Sequence, residues 1–138
     1  MAADTEARMI SALGAVTGSE LFQALNKTPR SMATNYTIVA ADINDAFDNT
    51  GAGGSVTFTL PPVATSAGFG CWIFVVVDQP VVVAAPSGTL VGPNNAGRTT
   101  YTTAASGQRI GTSIFAYCNG AKWFLIVDVK GLTLGTFA

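Results

Sequence analysis

The chain has 138 residues, 49% of them apolar and only 11% charged, with a net charge of −1 and no histidine. That length suits one domain with a real core and hardly two, while seven scattered basic residues exclude the local density a nucleic-acid face needs. No apolar stretch reaches the roughly 20 residues of a membrane helix, and Asp4 and Glu6 stand where a secretion signal carries positive charge, so a product made and folded in a cytoplasm is expected.

Residues 1–33 differ from the rest. Residues 4–13 make an apolar stripe from Met9, Ile10 and Leu13, with acids at their start. After Gly14 and Gly18, residues 19–25 open on Ser19 as a cap and place Leu21, Phe22 and Leu25 on one side, until Pro29 ends the pattern. Helices this short are marginal alone and must dock on something. The reading is therefore a partly helical arm, 1–33, and a β-rich oligomerising body, 34–138, with Ile10, Leu13, Leu21, Phe22 and Leu25 as the anchoring residues of the arm.

The body opens with a strand over 36–40, followed by a polar, Gly-rich loop over 42–54. Residues 55–60 alternate strictly, with Val56, Phe58 and Leu60 on one face, before Pro61 and Pro62 stop them. Residues 72–77 are apolar throughout, which predicts a central strand covered on both sides. Strands over 81–85 and 89–91 follow, then a turn cluster over 92–97. The β-prone but polar residues 98–103 predict an edge strand or an intersubunit surface. Residues 110–118 and 122–129 flank Asn119 and Gly120, the strongest hairpin signal in the chain, read as a type I′ turn. In its second arm Trp123, Leu125 and Val127 share one face, and Phe124 and Ile126 the other. Turns at this spacing favour an all-β fold, an antiparallel sandwich or small barrel; a β-prism or short β-helix-like trimer uses similar strands.

Residues suited to chemistry are thinly supplied. Asp42, Asp45 and Asp48, with Asn44 and Asn49, have the oxygen-rich character calcium favours. Their spacing departs from the calcium-loop signature and no acid closes it, so a solvated acidic loop and no metal site is expected. Cys71 and Cys118 lie among apolar neighbours without an activating base and read as inert buried thiols. The glycines over 51–54 lack the lysine of a phosphate cradle. Trp72 and Trp123 go to the core or to an interface, whereas Tyr101, in its Thr-rich strand, is the candidate exposed contact. With Phe124 and Ile126 it forms the expected oligomer interface. No catalytic residue and no cofactor is expected.

The segments Tyr36-Thr-Ile-Val-Ala-Ala-Asp-Ile43, Gly54-Ser-Val-Thr-Phe-Thr-Leu-Pro-Pro62, Ser87-Gly-Thr-Leu-Val-Gly92 and Asn119-Gly-Ala-Lys-Trp123 resemble a module of tailed-bacteriophage virion proteins. Its members are capsid decoration (cement) proteins, head fibres and C-terminal parts of tail fibres, and tend to be β-rich trimers. The resemblance covers about residues 36–130 and supplies no catalytic residue. It implies a homotrimer on the outer capsid surface of a virion, with the major capsid protein as partner and neither nucleic acid nor membrane engaged. A short arm on one compact knob, without a long shaft, favours decoration over the alternative of a fibre binding host surface glycans. Under that alternative Tyr101 and the 92–97 loop are the first contacts.

Overall fold

The computed structural model describes residues 29–129 and 131–138. The segments predicted over 4–13 and 19–25, with their anchoring residues Ile10, Leu13, Leu21, Phe22 and Leu25, lie outside the described residues. Within the body the chain passes back and forth between two sheets. It runs through β1 (Arg30–Ser31), β2 (Tyr36–Thr37), β3 (Ala46–Asp48), β4 (Val56–Thr59), β5 (Gly70–Phe74) and β6 (Val81–Ala84), then β7 (Leu90–Gly92) and β8 (Asn95–Arg98). It closes with β9 (Thr100–Thr102), β10 (Ser113–Cys118), β11 (Trp123–Asp128) and β12 (Thr136–Phe137). The seven-stranded sheet has the order β1-β3-β5-β10-β11-β7-β8, and the five-stranded sheet β12-β9-β6-β4-β2.

The first six strands alternate strictly between the sheets, each lying parallel to the strand two places earlier. The expected all-β sandwich is present, but its sheets are mixed. Five of the ten pairings are parallel, so the purely antiparallel version is corrected and the first half winds like a short coil. The cause is connection length: residues 32–35, 38–45, 49–55 and 60–69 cross to the opposite sheet rather than turning back as hairpins. The predicted hairpin is β10–β11, paired from Ser113↔Asp128 to Cys118↔Trp123. Its turn is shifted by one residue from expectation. The Asn119 N–H donates to the Lys122 carbonyl at 3.1 Å, so Gly120 and Ala121 are central, and Asn119 lacks the positive φ that a type I′ turn centred on Asn119 and Gly120 requires, Gly120 alone having it (93°).

Period two sorts the side chains. Val56, Phe58 and Leu60 point inward from β4 and its end, and Cys71, Ile73 and Val75 from β5. Across the five-stranded sheet the register aligns Tyr36, Phe58, Val83, Tyr101 and Phe137 in one row. Opposite, the seven-stranded sheet aligns Phe47, Ile73, Ile114 and Val127. Phe47 meets Phe58 across the gap, ring centroids 5.6 Å apart, and joins the two rows. Two predicted details change. The loop over 42–54 contains β3, whose Phe47 is fully buried, and Arg30–Ser31, assigned above to the arm, pairs with β3 and belongs to the body.

Two buried polar side chains tie the layers together. Asn49, fully buried, donates to the Val77 carbonyl and accepts from the Val76 and Val77 N–H groups, tying the end of β3 to the segment after β5. Trp123, also fully buried, packs edge-on against Phe69 and donates from Nε1 to the Pro61 carbonyl at 3.0 Å. Trp123→Ala removes that packing and leaves the Pro61 carbonyl without its donor. It is expected to lower unfolding free energy by about 3–5 kcal/mol, read from the urea midpoint.

Candidate functional site: the outer face of the seven-stranded sheet

The same alternation that fills the core turns every second side chain of β5, β10 and β11 outward. Three rows cross the sheet. Ala46, Trp72, Phe115 and Ile126 form the middle row; Gly70, Tyr117, Phe124 and Val91 lie on one side, and Asp48, Phe74, Ser113 and Asp128 on the other. Trp72, Phe74, Tyr117, Phe124 and Ile126 are all exposed, Ile126 most of all at 65%. No second layer lies over them among the described residues, and within those residues the strand over 72–77, expected to be covered on both sides, is covered on one. Its apolar run combines a core parity with a surface parity.

The rings are ordered by contact. Trp72 and Phe74 stack with planes 8° apart and centroids at 6.0 Å, and Trp72 meets Phe115 at 4.7 Å. Phe115 lies over Gly70, where a Cβ would stand 2.9 Å from its ring, so the glycine makes room for the aromatic on the neighbouring strand. None of the three rows carries a lysine or arginine, and Asp48 and Asp128 close one end. With each aromatic offering about 150–250 Å² when free, the exposed fractions amount to roughly 500 Å² of continuous apolar surface. A typical stable interface buries about 800 Å² per partner. This face supplies more than half of that.

Of the predicted interface residues, Phe124 and Ile126 stand on this face and Tyr101 does not. Tyr101 is fully buried in β9, which lies between β6 and β12 and is no edge strand. Its ring packs against Phe137 at 4.7 Å, and its hydroxyl accepts from the Gly135 N–H. Its expected place as an exposed contact is corrected: the threonines flanking it face outward while the tyrosine faces the core. Trp72, expected in the core or at an interface, stands on this face with Tyr117, a possible stacking residue by sequence; Phe74 and Phe115 were not singled out, and the signal that finds them is the register of β5 against β10, which period alone does not supply.

The expected solvated acidic loop is a buried charge cluster instead. Asp42 and Asp45 are about 5% exposed. Arg30 Nη1 donates to Asp42 Oδ1 at 2.5 Å and to Asp45 Oδ2 at 3.3 Å, and Nη2 donates to the Tyr36 hydroxyl, which in turn donates to Asp42 Oδ2. The guanidinium also lies 4.9 Å from the Tyr36 ring centroid and 5.2 Å from that of Phe47. The Tyr36 hydroxyl, opposed by burial and aided by both carboxylates, raises the arginine above its ordinary pKa. Cys71 is a free, fully buried thiol, pushed up to about 12 by burial and then by the nearby Asp42 and Asp45 charges, and Cys118 is likewise free and buried. Asp78 faces Arg109 at 3.5 Å and accepts from Ser106 and Gly107. Among the described residues no three of His, Cys, Asp and Glu gather as a metal would require.

No protein-family model matches the chain, and no curated protein matches it. The face is an apolar surface set on a filled core.

Arg30→Ala removes the cation beside two buried carboxylates, while Asp42 keeps its bonds from the Tyr36 hydroxyl and the Val39 N–H. Because the guanidinium is itself about a third exposed, the expected loss is moderate, about 2–3 kcal/mol by urea unfolding. Arg30→Lys recovers only part of it, since an ammonium cannot reproduce the forked contacts. A separate test uses pH. The Ser106 hydroxyl first, then the Gly107 N–H and the Arg109 charge, hold the Asp78 carboxyl below its usual range. Its stabilisation is present above the unfolded carboxylate value near about 3.9 and is lost as pH falls through the lower folded value. Asp78→Asn is expected to reduce the fall of the melting temperature with pH below about pH 4, leaving the neutral region unchanged.

Proposed function

We propose that the chain is a decoration (cement) protein of a tailed-bacteriophage capsid, a structural virion component that coats the outer shell as an oligomer and bridges neighbouring capsomers. The single observation supporting this reading is the uncovered aromatic face of the seven-stranded sheet, set on a sandwich with few charges. Parallel strands normally have both faces covered, and here β1, β3 and β5 stack in parallel with one face uncovered by the other described residues. At roughly 500 Å² the face falls in the range of about 300–600 Å² of the largest apolar patch on a monomer, which is often functional, and its ordered rings and lack of cations support a role in association. The resemblance of residues 36–130 to the virion module points the association toward a trimer and the major capsid protein.

The proposed role is mechanical rather than enzymatic. A shell under internal pressure fails first where capsomers separate. An oligomer that grips several subunits raises the cost of separation, because contacts that are weak singly act at high effective concentration once one has formed. A trimer suits three-fold positions, where each copy repeats one contact. In this division of labour the sheet face binds the copies to one another, and the N-terminal segment carrying Ile10, Leu13, Leu21, Phe22 and Leu25 is the proposed anchor to the shell.

A trimer is expected in light scattering at micromolar concentration. Ile126→Asp, which sets a charge in the middle row of the face, is expected to shift it to monomer with an unchanged far-ultraviolet circular dichroism spectrum. Wild-type protein is expected to coat shells lacking it and to raise their disruption temperature. A monomeric wild type, or shells left bare, contradicts the reading. Binding to host polysaccharide without binding to shells transfers the protein to the fibre class.

A further inference from the structure

We propose that Asn119, at the tip of the β10–β11 hairpin, is a site of spontaneous deamidation that its turn keeps reactive, the Gly120 nitrogen attacking the Asn119 carboxamide. Asn119 is the only asparagine of the chain followed by glycine, which carries no side chain to obstruct that approach. The fold adds three features that the dipeptide alone does not have. Asn119 Oδ1 accepts from the Ala121 N–H at 2.9 Å and from the Lys122 N–H at 2.8 Å. Donors at those distances polarise the carboxamide carbon and hold the negative charge that gathers on its oxygen during attack. The Gly120 N–H donates to Cys118 Sγ at 3.4 Å, a weak acceptor, so little has to break before its nitrogen turns on the neighbouring carbon. Asn119 is exposed, so ammonia can leave and water can follow.

The atoms balance with water as the only co-reactant. The Gly120 nitrogen bonds to Asn119 Cγ, the Cγ–Nδ2 bond breaks, and the Gly120 proton leaves with that nitrogen as ammonia. One water then opens the cyclic imide at either carbonyl. Opening at Cγ gives aspartate; opening at the main-chain carbonyl gives isoaspartate, with the chain rerouted through Cβ. An aspartate keeps both N–H bonds and strengthens them by its charge. Isoaspartate adds a main-chain carbon beside the Cys118↔Trp123 pair, at the closed end of the hairpin. Asn49 is the internal comparison. Its Oδ1 also accepts from two N–H groups, those of Val76 and Val77, yet it is fully buried. The N–H of the following Thr50 is committed to Asp48 Oδ1 at 2.9 Å. Asn49 has the donors but neither the available nitrogen nor the water. This reactivity belongs to the hairpin and is independent of the capsid reading.

The test incubates the full-length protein at mildly alkaline pH in heavy-oxygen water, then cleaves it after Arg109 and Lys122 and maps it by mass spectrometry. The peptide 110–122 is expected to exchange its amide for one heavy oxygen, as a mixture of isoaspartate and aspartate. Its rate is expected to exceed that of every other asparagine, Asn49 included, by at least about tenfold. Conversion at the pace of the others overturns the proposal, as does conversion to aspartate alone, which marks direct hydrolysis by water without the imide. A parallel incubation in guanidinium chloride measures the unfolded dipeptide. The folded chain is expected to react within about tenfold of that rate, the donors offsetting its lost freedom, and slowing beyond that overturns the proposal. Ala121→Pro deletes one of the two donors. With its circular dichroism spectrum unchanged, it is expected to slow the folded reaction by about tenfold and leave the rate in guanidinium chloride as it was. An unchanged folded rate in that variant overturns the part given to the turn.

Discussion

A strand has two faces, and filling one with apolar side chains says nothing about what meets the other. In this protein that constraint governs both stability and association. The inward parity of β5, β10 and β11 supplies Ile73, Ile114 and Leu125 to the core, and the outward parity of the same strands supplies Trp72, Phe115 and Ile126. A one-residue slip of any of these strands would exchange the sets. Register is therefore enforced from inside, by Trp123 locked to Phe69 and Pro61 and by Asn49 bonded to three backbone groups of the segment after β5. The outer face inherits its order from those buried contacts.

The parallel coil adds a second requirement. Strands that pair with the strand two places earlier need long crossings, and those crossings hold the protein's buried charges. Asp42 and Asp45 lie on the crossing from β2 to β3, and Arg30 in β1 neutralises them while Tyr36 in β2 supplies a further bond. Ion pairs of this kind contribute modestly to net stability, because desolvation offsets attraction, but they are costly to leave half-made. The cluster fastens the first turn of the coil. Charge spent inside is charge missing from the surface, which fits a molecule with only 11% charged residues and an aromatic face free of cations.

Much of the core was legible because period two is a local property. The inward set Val56, Phe58 and Leu60 and the split of Trp123 and Leu125 from Phe124 and Ile126 can be read directly from alternation. What alternation cannot carry is the identity of a strand's neighbour. Tyr101 looked exposed among threonines because nothing local reveals β6 and β12 on its two sides. The run from Cys71 to Val77 concealed its own parity, since both faces are apolar and only pairing with β10 separates core from surface. β3 was hidden inside a stretch of Asp and Asn whose acids serve Arg30, 12 and 15 residues earlier. Long-range electrostatic partners leave no periodic trace.

The central claim, that the outer face of the seven-stranded sheet is covered when the protein works, is most directly measured at Trp72. The chain has two tryptophans, and in a Trp123→Phe background Trp72 reports alone. Acrylamide quenching is then followed from micromolar to nanomolar protein. The account predicts a shielded, blue-shifted Trp72 at high concentration that becomes freely quenched on dilution. Quenching at every concentration as complete as that of an exposed indole, and unchanged on capsid shells, would contradict it.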